Sequence, residues 1–585
     1  MSDHTREQAL VPIVIGVSGH RYLAADSIDA LERVLRREIQ AILDAHPHSP
    51  VMLLTALAIG ADFLAARVGL SMERVSVVAP LPMPLEEYRR DFTDPGALAE
   101  FNELLGQVDH WFELPMQLSS RQLDPTDHGE RQLCYSALAE YIARYSHYGI
   151  VLWDGEGSRG PGSTAEFVNI VLHGVADLED TRGSIQEPAS AGPVLHILAQ
   201  RENTAGSAAP EPPVRWMYPD RDRDDREEQR IYSQTLGNIE LYNRDIHLQW
   251  EPVGARMPTL AGWLGCPPVL EDDKSLSLLR WRFSAADGLA VLFKKRHIRD
   301  LVMLLILSGV GYTCLELYDE AFSSYSWGAL VLVGFPLGML FALLRLRNSR
   351  ISHSRYLNYR ALAEGMRVQY YWQIAGLEDE VHDYYLNKHQ SELRWIRWAV
   401  QAWLVPLYER QVQSRPAGAA KLQACQQFVN EAWVTSQRNF YAGRARKREA
   451  DSHRLERWRT VLFSLAVLGS LFLIGVHYWC FHSSVDDGLT GDILSRCILL
   501  VAMLFVLGGL ISHYTEKVSY EDEQLQYQRA SDMFREGGKQ IDRLLKSADT
   551  KRAGGLFREI GMEALQENGD WVEMHSHRAP DLPAS

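Results

Sequence analysis

In residues 1–200, short β-branched apolar runs alternate with longer stretches whose apolar residues recur every three or four positions. Runs at 13–17, 51–57, 75–80, 149–153 and 194–198 predict buried strands. Between the first two, Ile28, Leu31, Val34, Leu35, Ile39 and Ile42 predict an amphipathic helix whose N-terminus lies beside the turn at 18–21. Strands alternating with such helices predict an α/β, Rossmann-like domain on a parallel sheet. Residues 201–230 then turn to Ala-, Pro-, Asp- and Arg-rich sequence, with Pro210, Pro212 and Pro213, and predict a linker. Ile231, Leu236, Ile239, Leu241 and Tyr242 predict a helix in a connector reaching residue 295.

The pattern changes again beyond residue 295. Stretches 301–315, 322–344, 461–485 and 497–514 carry no Asp, Glu, Lys or Arg. A membrane span needs about 20 largely apolar residues, and Tyr312, Tyr318, Trp327, Tyr478 and Trp479 extend these runs as interfacial aromatics. Four transmembrane helices in two hairpins are predicted, at 296–346 and 459–514, with Glu316, Asp319 and Glu320 in the first connecting loop. A cytoplasmic helical domain at 347–458 and C-terminal helices at 515–585 complete an all-α membrane region. Lys294, Lys295, Arg296 and Arg299, then Arg345, Arg347 and Arg350, then Arg444, Arg446, Lys447 and Arg448 flank the hairpins on one side. Basic flanks stay inside, which predicts a multi-pass inner-membrane protein with both termini cytoplasmic. Gly334, Gly338, Gly508 and Gly509 suit close helix packing. The spans lack the charges that mark ion-coupled transport.

Composition narrows the classes. The chain has 585 residues and 46% hydrophobic content, enough for several cores, and its mean hydropathy of -0.20 averages membrane and water-exposed parts. A net charge of -15 with scattered basic residues argues against nucleic acid as a partner. Cys134, Cys266, Cys314, Cys425, Cys480 and Cys497 show neither C-x-x-C pairs nor metal-like spacing with histidine, so no metal site or disulfide framework is indicated.

Candidate chemistry lies where strands end. The run Ile-Val-Ile-Gly-Val-Ser-Gly-His-Arg closes with Gly16, Ser18, Gly19, His20 and Arg21. A strand leading through glycines into a helix can offer backbone N–H groups and the positive end of the helix dipole to an anion; an ordinary glycine turn that binds nothing is the alternative. After the second strand come Gly60 and Asp62, the latter able to accept from a ribose hydroxyl or to cap the next helix. After the fourth come Asp154 and then Gly160, Gly162, Ser163 and Thr164 at a helix start. Two such turns would meet at the carboxyl edge of one sheet, where open α/β sheets bind ligands.

The Val-Ser-Gly-His-Arg, Ile-Gly-Ala-Asp and Gly-Pro-Gly-Ser-Thr-Ala segments together resemble the SLOG superfamily, Rossmann-like domains related to cytokinin-activating LOG enzymes and the DNA-processing protein A fold. The resemblance spans residues 11–200 and implies a pocket for a nucleotide-derived ligand, lined by the residues just named, with no further cofactor. The enzymatic branch carries a Pro-Gly-Gly-x-Gly-Thr-x-x-Glu signature with paired arginines. In this chain the order is Gly-Pro-Gly-Ser-Thr-Ala-Glu, which places Glu166 one residue early. An N-glycosidic hydrolase using Glu166 with Arg89 and Arg90 is therefore the alternative, and a binding domain without catalytic residues the main expectation.

Tyr-Arg-Ala-Leu-Ala-Glu-Gly-Met-Arg after one hairpin and Gly-Met-Glu-Ala-Leu-Gln-Glu-Asn-Gly-Asp-Trp near the C-terminus resemble the SLATT group of membrane effector domains, although two hairpins stand here where that group has one. That resemblance implies pore formation in the lipid bilayer by a homo-oligomer, gated by a nucleotide second messenger or an NAD- or ADP-ribose-like ligand, in antiviral defence.

Overall fold

A computed structural model describes residues 3–118, 121–157, 160–174, 192–202, 212–219, 224–318, 329–385, 393–405, 418–483, 487–518 and 520–576. The strands are β1 (Ile13–Gly19), β2 (Val51–Leu54), β3 (Val75–Leu81), β4 (His110–Glu113), the small hairpin β5 (Gln117–Leu118) and β6 (Arg121–Gln122), then β7 (Tyr148–Trp153), β8 (Val194–Leu198) and β9 (Val214–Met217). A seven-stranded sheet runs in the order β4-β3-β2-β1-β7-β8-β9. It is parallel except for β9, which pairs antiparallel with β8.

All five predicted strands are present. β1 is central, with Ile13 opposite Val51 of β2 and Ile15 opposite Tyr148 of β7. Ile13, Val14, Ile15 and Val17 are all buried, as expected of a strand covered on both faces. β2 ends at Leu54, short of the predicted 57, and Leu57 has a left-handed φ of 52°. β4 escapes a periodicity reading because in His-Trp-Phe-Glu only Phe112 is buried. β9 lies inside the segment predicted to be a linker, where proline and charge on either side mask a four-residue edge strand. From β1 the sheet grows outward to β4, and the chain then returns to the far side of β1 with β7. The β1/β7 junction is thus the topological switch point, where the carboxyl ends of two strands diverge and leave a crevice.

The chain forms two compact units that do not follow chain order. One comprises residues 1–286 and 362–421, the other 287–361 and 422–585. In the first, the helix Arg394–Leu404 is buried along its whole length and packs beside the sheet. His147 marks the junction: Val14 N–H donates to its Nδ1 (3.2 Å), its Nε2 lies 3.1 Å from Trp398 O, and its ring stacks on Trp398 at 4.6 Å. Burial lowers His147 to about 4, so the ring is neutral, with one nitrogen accepting and the other donating. Trp403 Nε1 donates to Leu10 O at 2.8 Å in the same layer.

The second unit is helical. Its helices Ser436–Ser483, Asp487–Val518, Tyr520–Lys546 and Thr550–Ser576 join through aromatic contacts, including Tyr441 stacked on Phe534 at 5.8 Å, and through the half-buried pair Arg448–Glu523 at 2.6 Å. Among the described residues, Ala419–Trp479 and Arg496–Thr515 contain runs long and apolar enough to cross a membrane by length and composition. Those runs are almost wholly exposed, with Phe472 at 70% and Leu500 at 61%. The predicted loop acids Asp319 and Glu320, and Trp327, lie outside the described residues.

Candidate functional site

A cavity of about 350 Å³ opens at the switch point, at the carboxyl end of β1. Of the residues singled out in the sequence, Ser18, Gly19, His20, Arg21, Asp62, Gly162, Ser163 and Thr164 line it. The two glycine turns meet there, with Ser18 Oγ 3.5 Å from Thr164 Oγ1. The volume lies in the range of small-molecule sites.

The turn after β1 is built by close approach. A Cβ on Gly19 would strike the Ala61 side chain and lie 2.7 Å from Leu152 O. Gly60 has φ +87°, and a Cβ there would fall on the carbonyl oxygens of His20 and Arg21. This lets Ala61 N–H reach His20 O at 3.0 Å, so the helix that seats the turn is Ala61–Leu70. The helix following β1 in sequence begins only at Ile28, and none of its residues lines the cavity. His20 N–H is itself taken by Leu152 O at 3.1 Å. An anion at this turn would therefore meet side-chain charge more than the backbone cradle expected from the glycines.

Arg21 supplies that charge. It is exposed, lies over the Tyr135 ring at 5.4 Å, and has no ion-pair partner among the described residues. His20 is buried and held in place: Asp154 N–H points at its Nε2 (3.0 Å), Asp154 Oδ2 lies 3.1 Å from the same nitrogen, and Arg201 Nε reaches Asp154 Oδ2 at 2.9 Å. Although partial burial raises Asp154, the Glu156 N–H and the His20 and Arg201 charges outweigh it and hold the carboxyl below its ordinary range. Asp154 thus orients His20 from behind the cavity wall.

Asp62 neither caps its helix nor stands free. The N-cap is Gly60, without a side-chain bond, and Asp62 Oδ2 accepts from Ala56 N–H at 3.1 Å, tying down the loop after β2. Desolvation pushes its carboxyl from 3.8 up to about 7, against the pull of the loop N–H groups, Thr55 and Arg21. A raised carboxyl holds its proton longer folded than unfolded, so its contribution is complete below about pH 4 and is lost as pH rises through 7. The gap corresponds to at most roughly 4 kcal/mol. Asp62→Asn is expected to flatten the decline in thermal unfolding midpoint between pH 4 and 7, and an unchanged slope would contradict this assignment.

The remaining candidates stand outside the cavity lining. Gly16 lies within β1 against Ser146 and Ile142, and Gly160 (φ +126°) opens the second turn. Glu166 is engaged at the helix start: Ser163 Oγ caps the helix by accepting from Glu166 N–H at 3.3 Å, while the Glu166 carboxylate accepts from the N–H of Gly162, the residue before the cap, and from Ser136 Oγ at 2.6 Å. Arg89 pairs with Glu86 at 2.6 Å and Arg90 with Glu87 at 2.8 Å, on a solvated helical face.

Sequence reading missed one whole wall. Tyr135, Leu138, Ala139 and Ile142 line the cavity from the helix His128–Tyr145, joined by Tyr88, Phe167 and Arg201. Their spacing of three, four and seven along that helix is a legible apolar stripe. Arg201, by contrast, follows β8 in the predicted linker, and only the sheet brings it to His20. No protein-family model, no curated protein and no solved structure matches the chain.

Proposed function

We propose that the chain is a ligand-gated membrane effector: a nucleotide-derived signal binds the switch-point cavity, and the helical unit permeabilises a lipid bilayer in response. The observation that carries the reading is the cavity itself, in which Arg21, exposed and without an ion pair among the described residues, the buried carboxyl of Asp62 and the Tyr135 ring converge within about 350 Å³. A phosphate on Arg21, a sugar hydroxyl toward Asp62 and a base against aromatic surface suit these groups. Glu166 and both candidate arginines are engaged in a cap and in surface ion pairs, which favours binding over hydrolysis.

Membrane insertion is supported by the exposed apolar runs of Ala419–Trp479 and Arg496–Thr515. Val302, Ile306 and Val310 on one helix and Leu337, Leu340, Phe341 and Leu344 on another are exposed as well, which supports a second hairpin and four spans. The reading includes cytoplasmic termini and an inner-membrane location, from the basic residues that flank the hairpins, and homo-oligomers around a pore with a defence role, as the SLOG and SLATT resemblances imply. To turn a mostly closed population into a mostly open one, the ligand must prefer the open state by about 3–5 kcal/mol.

The test is dye release from liposomes reconstituted with the full chain, challenged with the small molecules that co-purify with it and are identified by mass spectrometry. Ligand-dependent release that Arg21→Ala abolishes is the expected result. Liposomes that stay sealed with bound ligand would reject a pore, and free base released from the nucleotide would reject a pure sensor.

A further inference from the structure

Residues 380–383 hold a cluster unrelated to the cavity. Glu380, His382 and Asp383 each offer one ligand atom within 4.8 Å of the others. Glu380 precedes the short helix Val381–Tyr384, and the Glu-x-His-Asp spacing turns all three toward one point. His382 is 3% exposed, and neither ring nitrogen has a hydrogen-bond partner among the described residues. Buried imidazole nitrogens in folded proteins are as a rule hydrogen-bonded, which sets this ring apart.

We propose that Glu380, His382 and Asp383 bind one divalent transition-metal ion of the zinc class. His382 Nδ1 lies 3.4 Å from Glu380 Oε2, and Nε2 lies 3.5 Å from Asp383 Oδ1. These separations are long for hydrogen bonds; they start from opposite ring nitrogens, so one ion uses only one of them, and either alone is close to the tetrahedral edge of about 3.4 Å for metal–ligand distances near 2.1 Å, with the third ligand atom within the 4.8 Å of the cluster. One ring nitrogen and one oxygen from each carboxylate make a three-ligand set, with water in the fourth position.

The outer groups suit this role. Tyr145 Oη donates to Glu380, 2.6 Å from either oxygen, and Arg144 Nη2 holds Asp383 Oδ2 at 2.5 Å, leaving the other oxygen of Asp383 toward His382. Ligating carboxylates are commonly oriented by such bonds. Arg144 and Tyr145 end the helix His128–Tyr145 that walls the cavity, so the ion would tie that helix to residues 380–383.

The experiment uses the full chain in detergent, stripped with a chelator and titrated with Zn²⁺ or Co²⁺ alone. Wild type should hold one more equivalent of zinc per chain than His382→Ala, or bind it at least tenfold more tightly, at matched unfolding temperature. Cobalt should give a tetrahedral visible absorption band that Glu380→Gln and Asp383→Asn weaken. Equal binding by wild type and His382→Ala, or no cobalt band in wild type, would overturn the site. Because the cobalt band is read on wild type, the result stands even where a variant fails to fold.

Discussion

Gly60→Ala is expected to destabilise the full chain by about 3 kcal/mol and to abolish ligand binding at the switch-point cavity. At φ 87° and ψ -113° the Gly60 backbone sits where side-chain-bearing residues rarely go, which alone costs of order 1–3 kcal/mol. The added methyl also meets the carbonyl oxygens of both His20 and Arg21, which are backbone atoms that cannot rotate aside. Relief requires the turn to move off the helix Ala61–Leu70, breaking the 3.0 Å bond from Ala61 N–H to His20 O and displacing the residues that line the cavity. Thermal unfolding in detergent and ligand titration check both halves. A variant with unchanged midpoint and unchanged affinity would show that the turn is not seated by this approach.

Arg21→Ala should do the opposite: leave the unfolding midpoint within experimental scatter and lower ligand affinity ten- to a hundredfold. Arg21 is exposed and has no ion pair among the described residues, so its loss leaves no buried group unpartnered and opens no core. A charge-assisted bond to an anionic ligand contributes about 1.5–3 kcal/mol, which is roughly one to two decades in affinity. Raising the salt concentration should weaken wild-type binding and have little effect on the variant. Equal affinity for both proteins would place the anion elsewhere, and the Ser163–Thr164 helix start would be the next position to change.

The contrast shows where sequence reading works. Apolar runs such as Ile13–Val17 and Val194–Leu198 are legible because a strand buried on both faces must be apolar at nearly every position. Gly19 and Gly60 were legible as turns, but not the reason for them, since the atoms they make room for belong to Leu152, Ala61 and the turn after β1. Asp62 was readable as a helix cap or a ribose partner; the cap position falls to Gly60, and Asp62 is a buried carboxyl in the cavity lining that fastens residues 56–58. Glu166 matched a catalytic signature loosely, yet in the structure its N–H is capped by Ser163 Oγ and its carboxylate holds Gly162 N–H and Ser136 Oγ at the start of the helix.

By itself the sequence determined a parallel-dominated α/β half, a helical half with long apolar runs, and two glycine turns at strand ends. Each follows from local periodicity or from the conformational freedom of one residue type. Tertiary structure alone decided that β9 completes the sheet, that the helix His128–Tyr145 walls the cavity, and that residues 362–421 fold into the same unit as the sheet. The physical reason is sequence distance. Arg201 meets His20 across 181 positions and His147 meets Trp398 across 251, and contacts of that span are selected by the burial of a whole core, which no local pattern records.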